Sequence, residues 1–302
     1  MQKTDFKITS SPEQSQMTEQ LIQKLKKDPE VIKLFQESGM PAEWLQKKPW
    51  MIEQYIEDTM VCRNCKGLAY CRQKEKGFRS ELKYDSVHLK SIYSACPFMK
   101  EKQLAYRHMQ NYLVSDMSAD METASFENIR LQEEAGSYVA VLKQAMQAVK
   151  DSRGLYLYGT MGTGKTYISA CAANFYAGKG RKTAFIHYPT FCQRIRANAE
   201  TKEFMTEVQR LTYADFLVID DIGAENVTAW NRDDILLPIL NERMEHNLTT
   251  WMTSNEDMDS LLNHFSVTSR GQQERIKAAR IIERIQALCE PIELLGKDRR
   301  LL

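Results

Sequence analysis

Gly159, Thr160, Met161, Gly162, Thr163, Gly164, Lys165 and Thr166 follow one another in this chain, and that order leaves few folds open. Three glycines permit backbone conformations and close approaches that a Cβ would forbid, so consecutive N–H groups can turn toward one point. The apolar run Leu155–Tyr158 before them reads as a strand, and Thr166–Ala177 after them as a helix with no breaker. A glycine loop between a strand and a helix N-terminus is a cradle for phosphate. Lys165 is expected to reach the β- and γ-phosphates of a nucleotide, and Thr166 to place its hydroxyl on Mg²⁺. A ligand-free glycine turn is the bland alternative, disfavoured because the full pattern occurs in its strand–loop–helix setting.

The chain beyond the cradle fits the same chemistry. Short apolar runs at Thr183–Ile186, Phe216–Ile219 and Thr249–Met252 alternate with helical segments, the signature of an α/β fold with a parallel sheet. The run from Phe216 ends in two carboxylates. Asp220 is expected in the Mg²⁺ shell, and Asp221 is the candidate that orients or deprotonates an attacking water. Trp251–Ser254 is followed by Asn255, a candidate for hydrogen bonding the γ-phosphate or that water; a helix cap is the plainer reading. Near the end, Arg275, Arg280 and Arg284 punctuate a helical stretch, with Arg280 and Arg284 on one face. One of them, Arg284 foremost, is expected to enter a neighbouring subunit's nucleotide site, against pairing with Glu283 on a solvated face. Arg299 and Arg300 either contact the γ-phosphate of their own subunit or form a solvated tail.

The first third has another character. From Met17 to Tyr55 apolar residues recur at helical spacing, with Asp28 and Pro29 as a start signal and Gly39 as a stop. Of seven cysteines, Cys62, Cys65, Cys71 and Cys96 crowd into one stretch. Clustering of this kind in a reducing compartment favours a metal over disulfides. Cys62 and Cys65 would supply half of a tetrahedral Zn²⁺ site, completed by Cys71 and Cys96, with His88 competing for the fourth place. The expected organisation is a small, mainly helical zinc-binding domain over residues 1–112, a linker over 113–125 and an ATPase domain over 126–302. A formal net charge of +1 announces no basic field. Lys179, Arg181, Lys182, Arg194 and Arg196, with Phe191 among them, are candidates to track a phosphate backbone, or are ordinary solvated surface. No signal segment and no apolar run of the ~20 residues that span a bilayer is present in the sequence, so a cytoplasmic location without membrane insertion is expected.

The cradle, the stretch Asp220–Glu225, the sensor Thr253–Asn255 and the segment Arg280–Arg284 together resemble the bacterial replicative helicase loaders of the DnaI/DnaC type. These are AAA+ ATPases, with the transposition ATPase IstB as a relative. The resemblance is strong over about residues 120–302, and the cysteine region resembles the zinc-binding, helicase-contacting half of such loaders. It implies a core sheet of five parallel strands, ATP and Mg²⁺ as ligands, ATP hydrolysis, and self-association through the ATPase domain. It also implies single-stranded DNA as a partner and delivery of a hexameric DnaB-type helicase. Phe126 and Asn128 fall where the family lines its adenine pocket and are candidate base contacts; a linker phenylalanine packed on the core is the equal alternative. An IstB-like transposition or recombination accessory ATPase acting on DNA is the alternative, for which a zinc domain is not expected. One departure stands out: many AAA+ proteins have Glu where this chain has Asp221, which predicts slow hydrolysis, with Glu225 as a less favoured base.

Overall fold

The computed structural model describes residues 11–129, 131, 135–197, 201–271 and 273–299. They form two compact units, divided between Leu104 and Ala105, whereas composition placed the division after residue 112.

The first unit opens with helices α1 (Pro12–Leu25), α2 (Pro29–Ser38), α3 (Glu43–Lys47) and α4 (Pro49–Cys62). The start and stop signals act as their chemistry requires. The Asp28 carboxylate accepts from the Glu30 amide at 2.8 Å, and Gly39 closes α2 at φ 64°. Leu21, Leu25, Val31, Ile52 and Ile56 face one another in the core. The mainly helical expectation missed an antiparallel hairpin of β1 (Phe78–Tyr84) and β2 (Leu89–Ala95), followed by α5 (Pro97–Ala105). Its strands are half-buried and interrupted by charged residues, so alternation is weak. A buried hydrogen bond, Ser80 Oγ to Asp58 at 2.6 Å, ties β1 to α4.

The second unit is α/β. Its strands are β3 (Tyr112–Ser115), β4 (Leu155–Tyr158), β5 (Thr183–His187), β6 (Phe216–Asp220), β7 (Thr249–Ser254) and β8 (Glu290–Glu293). They lie in the order β3-β5-β6-β7-β4-β8, every pair parallel. The sheet therefore has six strands rather than five. The extra one is β3, an edge strand that straddles the boundary expected between the first domain and the linker, anchored where the Tyr112 hydroxyl donates to Asn174 at 2.7 Å. Parallel pairing needs crossovers, supplied by α6 (Gly136–Asp151), α7 (Lys165–Gly178), α8 (Tyr188–Ala197), α9 (Lys202–Tyr213), α10 (Leu237–Glu245), α11 (Met258–Ser266) and α12 (Arg275–Leu288). Helices cover both faces: Tyr138, Val141 and Ile168 pack on one, Phe191, Leu240 and Ile281 on the other. The central strands are apolar on both sides for that reason, and their C-terminal ends share one edge. Among the described residues no helix is long and apolar enough to cross a membrane.

Candidate nucleotide site

The glycine loop leaves β4 at Tyr158 and enters α7 at Lys165. Gly162 shows why the residue type is fixed: its φ is 78°, and a Cβ there would run into the Asp298 carboxylate. Thr160 and Met161 stand exposed at the tip, while Thr163 is buried and its hydroxyl donates to the Thr160 carbonyl at 3.0 Å. Lys165 is also buried. Its ammonium donates to the carbonyls of Gly159 at 2.7 Å and Thr160 at 2.8 Å, and to Asn255 Oδ1 at 3.0 Å. The cation is thus poised across the loop mouth and linked to the end of β7.

The two aspartates differ in surroundings. Asp220, 5% exposed at the end of β6, is pushed above the usual carboxylate range by burial; hydrogen bonds from Thr253 and Thr166 pull back less strongly. Thr253 Oγ1 lies 2.6 Å from Asp220 Oδ1. A buried carboxylate against the Thr166 hydroxyl is a hard oxygen donor set of the kind Mg²⁺ takes. Asp221 has a left-handed backbone, φ 59°. Its amide donates to Thr253 Oγ1 at 2.9 Å, and its carboxylate accepts from Asn255 Nδ2 at 3.1 Å. His187 Nε2, at the end of β5, lies 3.7 Å from the other Asp221 oxygen. Lys165, Asn255 and Asp221 form one hydrogen-bonded line across three strand ends. Glu225 faces away from it: buried, it accepts from the Gly223 amide at 2.9 Å and pairs with His264 at 3.3 Å.

His187 has no spacing in the sequence that marks it as a site residue, and Thr253, part of the sensor segment, has no signal there for its bonds to both aspartates. Phe126 and Asn128 line a cavity of about 540 Å³ with Met146, Cys171 and Asn174. Cys171 is six residues into α7 after Lys165, about 9 Å along the helix axis. Tyr138 on α6 carries the Arg299 guanidinium 3.8 Å from its ring centre, and the Arg299 amide donates to the Gly162 carbonyl at 2.9 Å. Arg299 therefore grips the outside of the loop; Arg300 lies outside the described residues. On α12, Arg284 donates to Asn241 at 2.8 Å and pairs with Glu283 at 3.2 Å, while Arg275 and Arg280 are exposed.

The basic set does not form one track. Arg194 is held by Asp116 at 3.1 Å and Glu207 at 2.6 Å, and Phe191 is wholly buried in the core. Lys179, Arg181 and Lys182 precede β5, whereas Asp116, which holds Arg194, follows the opposite end of β3.

In the first unit Cys62, Cys65, Cys71 and Cys96 line one cavity of about 170 Å³. The Cys65 amide bonds to the Cys62 carbonyl, closing the turn, and the Gly77 amide donates to Cys71 Sγ at 3.3 Å. His88 sits in the hairpin turn, at the opposite end of β2 from Cys96 and bound to Asp85; about 26 Å of extended chain separates them. That removes His88 from the cysteine set. Among the described residues no three His, Cys, Asp or Glu side chains are arranged to hold a metal ion as they stand. The other three cysteines, Cys171, Cys192 and Cys289, are buried. Burial pushes the Cys171 and Cys192 thiols up to about 12, which makes them inert packing groups.

Comparison with known proteins decides the family. The family described as IstB-like ATP binding protein matches residues 96–301. The chain belongs to that family. This IstB-like protein is 29% identical to the replicative helicase loader DnaI of Bacillus subtilis (strain 168), over 97% of its own length and 96% of DnaI. Among solved structures it is similar to a crystal structure of DnaI, at 32% identity and TM-score 0.55, covering 64% of this chain and 100% of that one. A putative primosome component from Streptococcus pyogenes serotype M3 is 27% identical with TM-score 0.52, covering 66% of this chain and 100% of that chain. The IstB-like match begins at residue 96, so nearly all of the first unit lies outside it, whereas the similarity to DnaI runs through both units.

Proposed function

We propose that this IstB-like ATP-binding protein is a loader that delivers a replicative hexameric helicase onto single-stranded DNA under control of ATP. The observation that carries the reading is the whole-length similarity to DnaI, which takes in the unit that the IstB-like match leaves out. A transposition accessory of IstB type has no expected use for that unit.

In this reading the second unit is the ATPase and self-assembly domain, and the first unit contacts the helicase. Gly159 to Thr166 bind the phosphates through backbone N–H groups, and Lys165 exchanges the carbonyls it holds for phosphate oxygens. Thr166 and Asp220 would hold Mg²⁺, which when bound neutralises charge developing on the phosphates. Asp221 orients the attacking water and accepts its proton, with Asn255 and His187 fixing the carboxylate. Aspartate is one methylene shorter than the common glutamate, so turnover is slow and the nucleotide acts chiefly as a switch. The adenine lies beside Phe126 and Asn128. An arginine of α12 enters the neighbour's site in the assembly; Asn241 and Glu283 already occupy Arg284, and Arg280 is the more exposed of the pair. Zn²⁺ in the first unit is supported by the donor chemistry, four thiols around one cavity.

The test is helicase loading onto circular single-stranded DNA coated with single-strand-binding protein. Unwinding should require the full chain and ATP, and should vanish with Lys165→Ala. Helicase that loads equally well without the chain defeats the proposal. Metal analysis of the purified chain should find about one zinc per chain, as four thiolates require; a metal-free, fully folded chain refutes that part.

A further inference from the structure

The last turn of α4 and the loop after it leave large apolar side chains outside the first unit. Met60, Val61 and Tyr70 are 52%, 45% and 69% exposed. They are gathered, with Lys66, Ala69 and Arg72, around one open groove of about 720 Å³. Exposed apolar residues that converge in this way mark interaction surfaces, whereas scattered ones need no explanation. The rim is charged with one sign. Between Arg63 and Lys76 the sequence holds Arg63, Lys66, Arg72, Lys74 and Lys76 against Glu75 alone. Only the first of these cations is spent in an ion pair of the described structure, with Glu30; Lys66, Arg72, Lys74 and Lys76 are exposed.

We propose that this groove is the docking surface for an acidic amphipathic segment of a second protein, which lays its apolar stripe on Met60, Val61 and Tyr70 and its carboxylates toward Lys66 and Arg72. The proposal rests on the loader reading, in which that second protein is the replicative helicase. Charge complementarity selects an acidic partner and sets its register. The apolar lining selects protein over nucleic acid. Single-stranded nucleic acid is bound by rows of aromatic side chains, and here a lone tyrosine stands beside methionine, valine and alanine. Methionine adapts its shape to a partner, and a tyrosine in a groove supplies contact area at low entropic cost. Cys65 and Cys71 form part of the same wall, so the groove's shape depends on the cysteine cluster behind it.

The experiment measures binding of the full chain to labelled replicative helicase from the same organism. Met60→Ala with Tyr70→Ala is compared with Lys66→Glu with Arg72→Glu, and Lys90→Glu on the far end of the hairpin serves as control. Far-ultraviolet circular dichroism and ATP affinity verify the fold of each. The alanine pair should weaken binding by about ten-fold or more. The glutamate pair should slow association, most at low salt, and the control should change nothing. Folded variants that bind helicase within about two-fold of the unchanged chain overturn the surface while leaving the loader reading intact. Loss confined to oligonucleotide binding overturns it in favour of nucleic acid. Failure of the unchanged chain to bind helicase overturns the loader reading and this surface with it.

Discussion

Replacing Thr253 by valine removes one hydroxyl and keeps the shape of the side chain. That hydroxyl is buried, donates to Asp220 at 2.6 Å and accepts from the Asp221 amide at 2.9 Å. Its loss withdraws a hydrogen bond from a buried carboxylate, worth about 1.5–3 kcal/mol, and leaves an amide unpaired, at about 1–3 kcal/mol. Valine nearly fills the vacated volume, so no cavity cost is added. Because Asp220 can take up a proton and recover part of the loss, the expected net destabilisation is about 3 kcal/mol. For a unit of this size that lowers the melting temperature by roughly 6–12 °C. Calorimetry of the full chain would read it in the transition of the second unit. The same variant should need more Mg²⁺ for ATP binding, since Asp220 is pushed still further above its usual range, and Thr253→Ser should restore both properties. A valine variant that melts within about 1 °C of the unchanged chain, with the same Mg²⁺ dependence, would show that the hydroxyl does not hold the two aspartates.

Asp221→Asn should keep the fold, because asparagine tolerates the left-handed backbone at this position, and should bind ATP normally while turnover falls by about 100-fold or more. Normal turnover in a steady-state phosphate-release assay would strip Asp221 of its role. Arg194→Ala should cost about 1–2 kcal/mol in denaturant titrations, since Asp116 and Glu207 lose a partly exposed partner, yet leave oligonucleotide affinity unchanged; a steep loss of that affinity would return Arg194 to the DNA track. Burial draws the His264 pKa down, but its hydrogen bond and charge pairing with Glu225, joined by the charge of Glu256, outweigh that and leave it above the ordinary 6.5. The pairing therefore contributes stability fully present below 6.5 and lost as pH rises through the raised value. Denaturation midpoints at about pH 6 and pH 8 should fall more steeply for the unchanged chain than for His264→Gln, and equal slopes would contradict this.

The parts legible in the sequence share a local origin. The central strands β4, β5, β6 and β7 are largely buried because helices cover both faces, so each carries a short run rich in apolar and β-branched residues that stands out. The edges do not. Strand β8 reads Glu290, Pro291, Ile292, Glu293, with only Ile292 buried, and a proline there argues against a strand until the edge position is known. Strand β3 is too brief to separate from the polar residues after it, and the hairpin of the first unit is too charged. Arg194 and Phe191 both belong to a basic and aromatic stretch of sequence; only packing puts one in an ion-pair network and the other in the core.

The sequence alone determined the phosphate cradle, because its chemistry is made by consecutive backbone groups and two adjoining side chains, Lys165 and Thr166, and needs no distant partner. It also determined that Asp220 and Asp221 leave an apolar strand together. What those aspartates touch was decided by the fold. Strand β7 aligns with β6, Met252 beside Ile219, and that alignment brings Thr253 and Asn255 to the two carboxylates from more than thirty residues away. Likewise the spacing of Cys62 and Cys65 suggested a half-site, but only the fold puts Cys71 and Cys96 on the same cavity as that pair and His88 at the far end of the hairpin. Contacts of this kind depend on strand register, which is set by how distant apolar faces pack, and no short window of sequence contains that information.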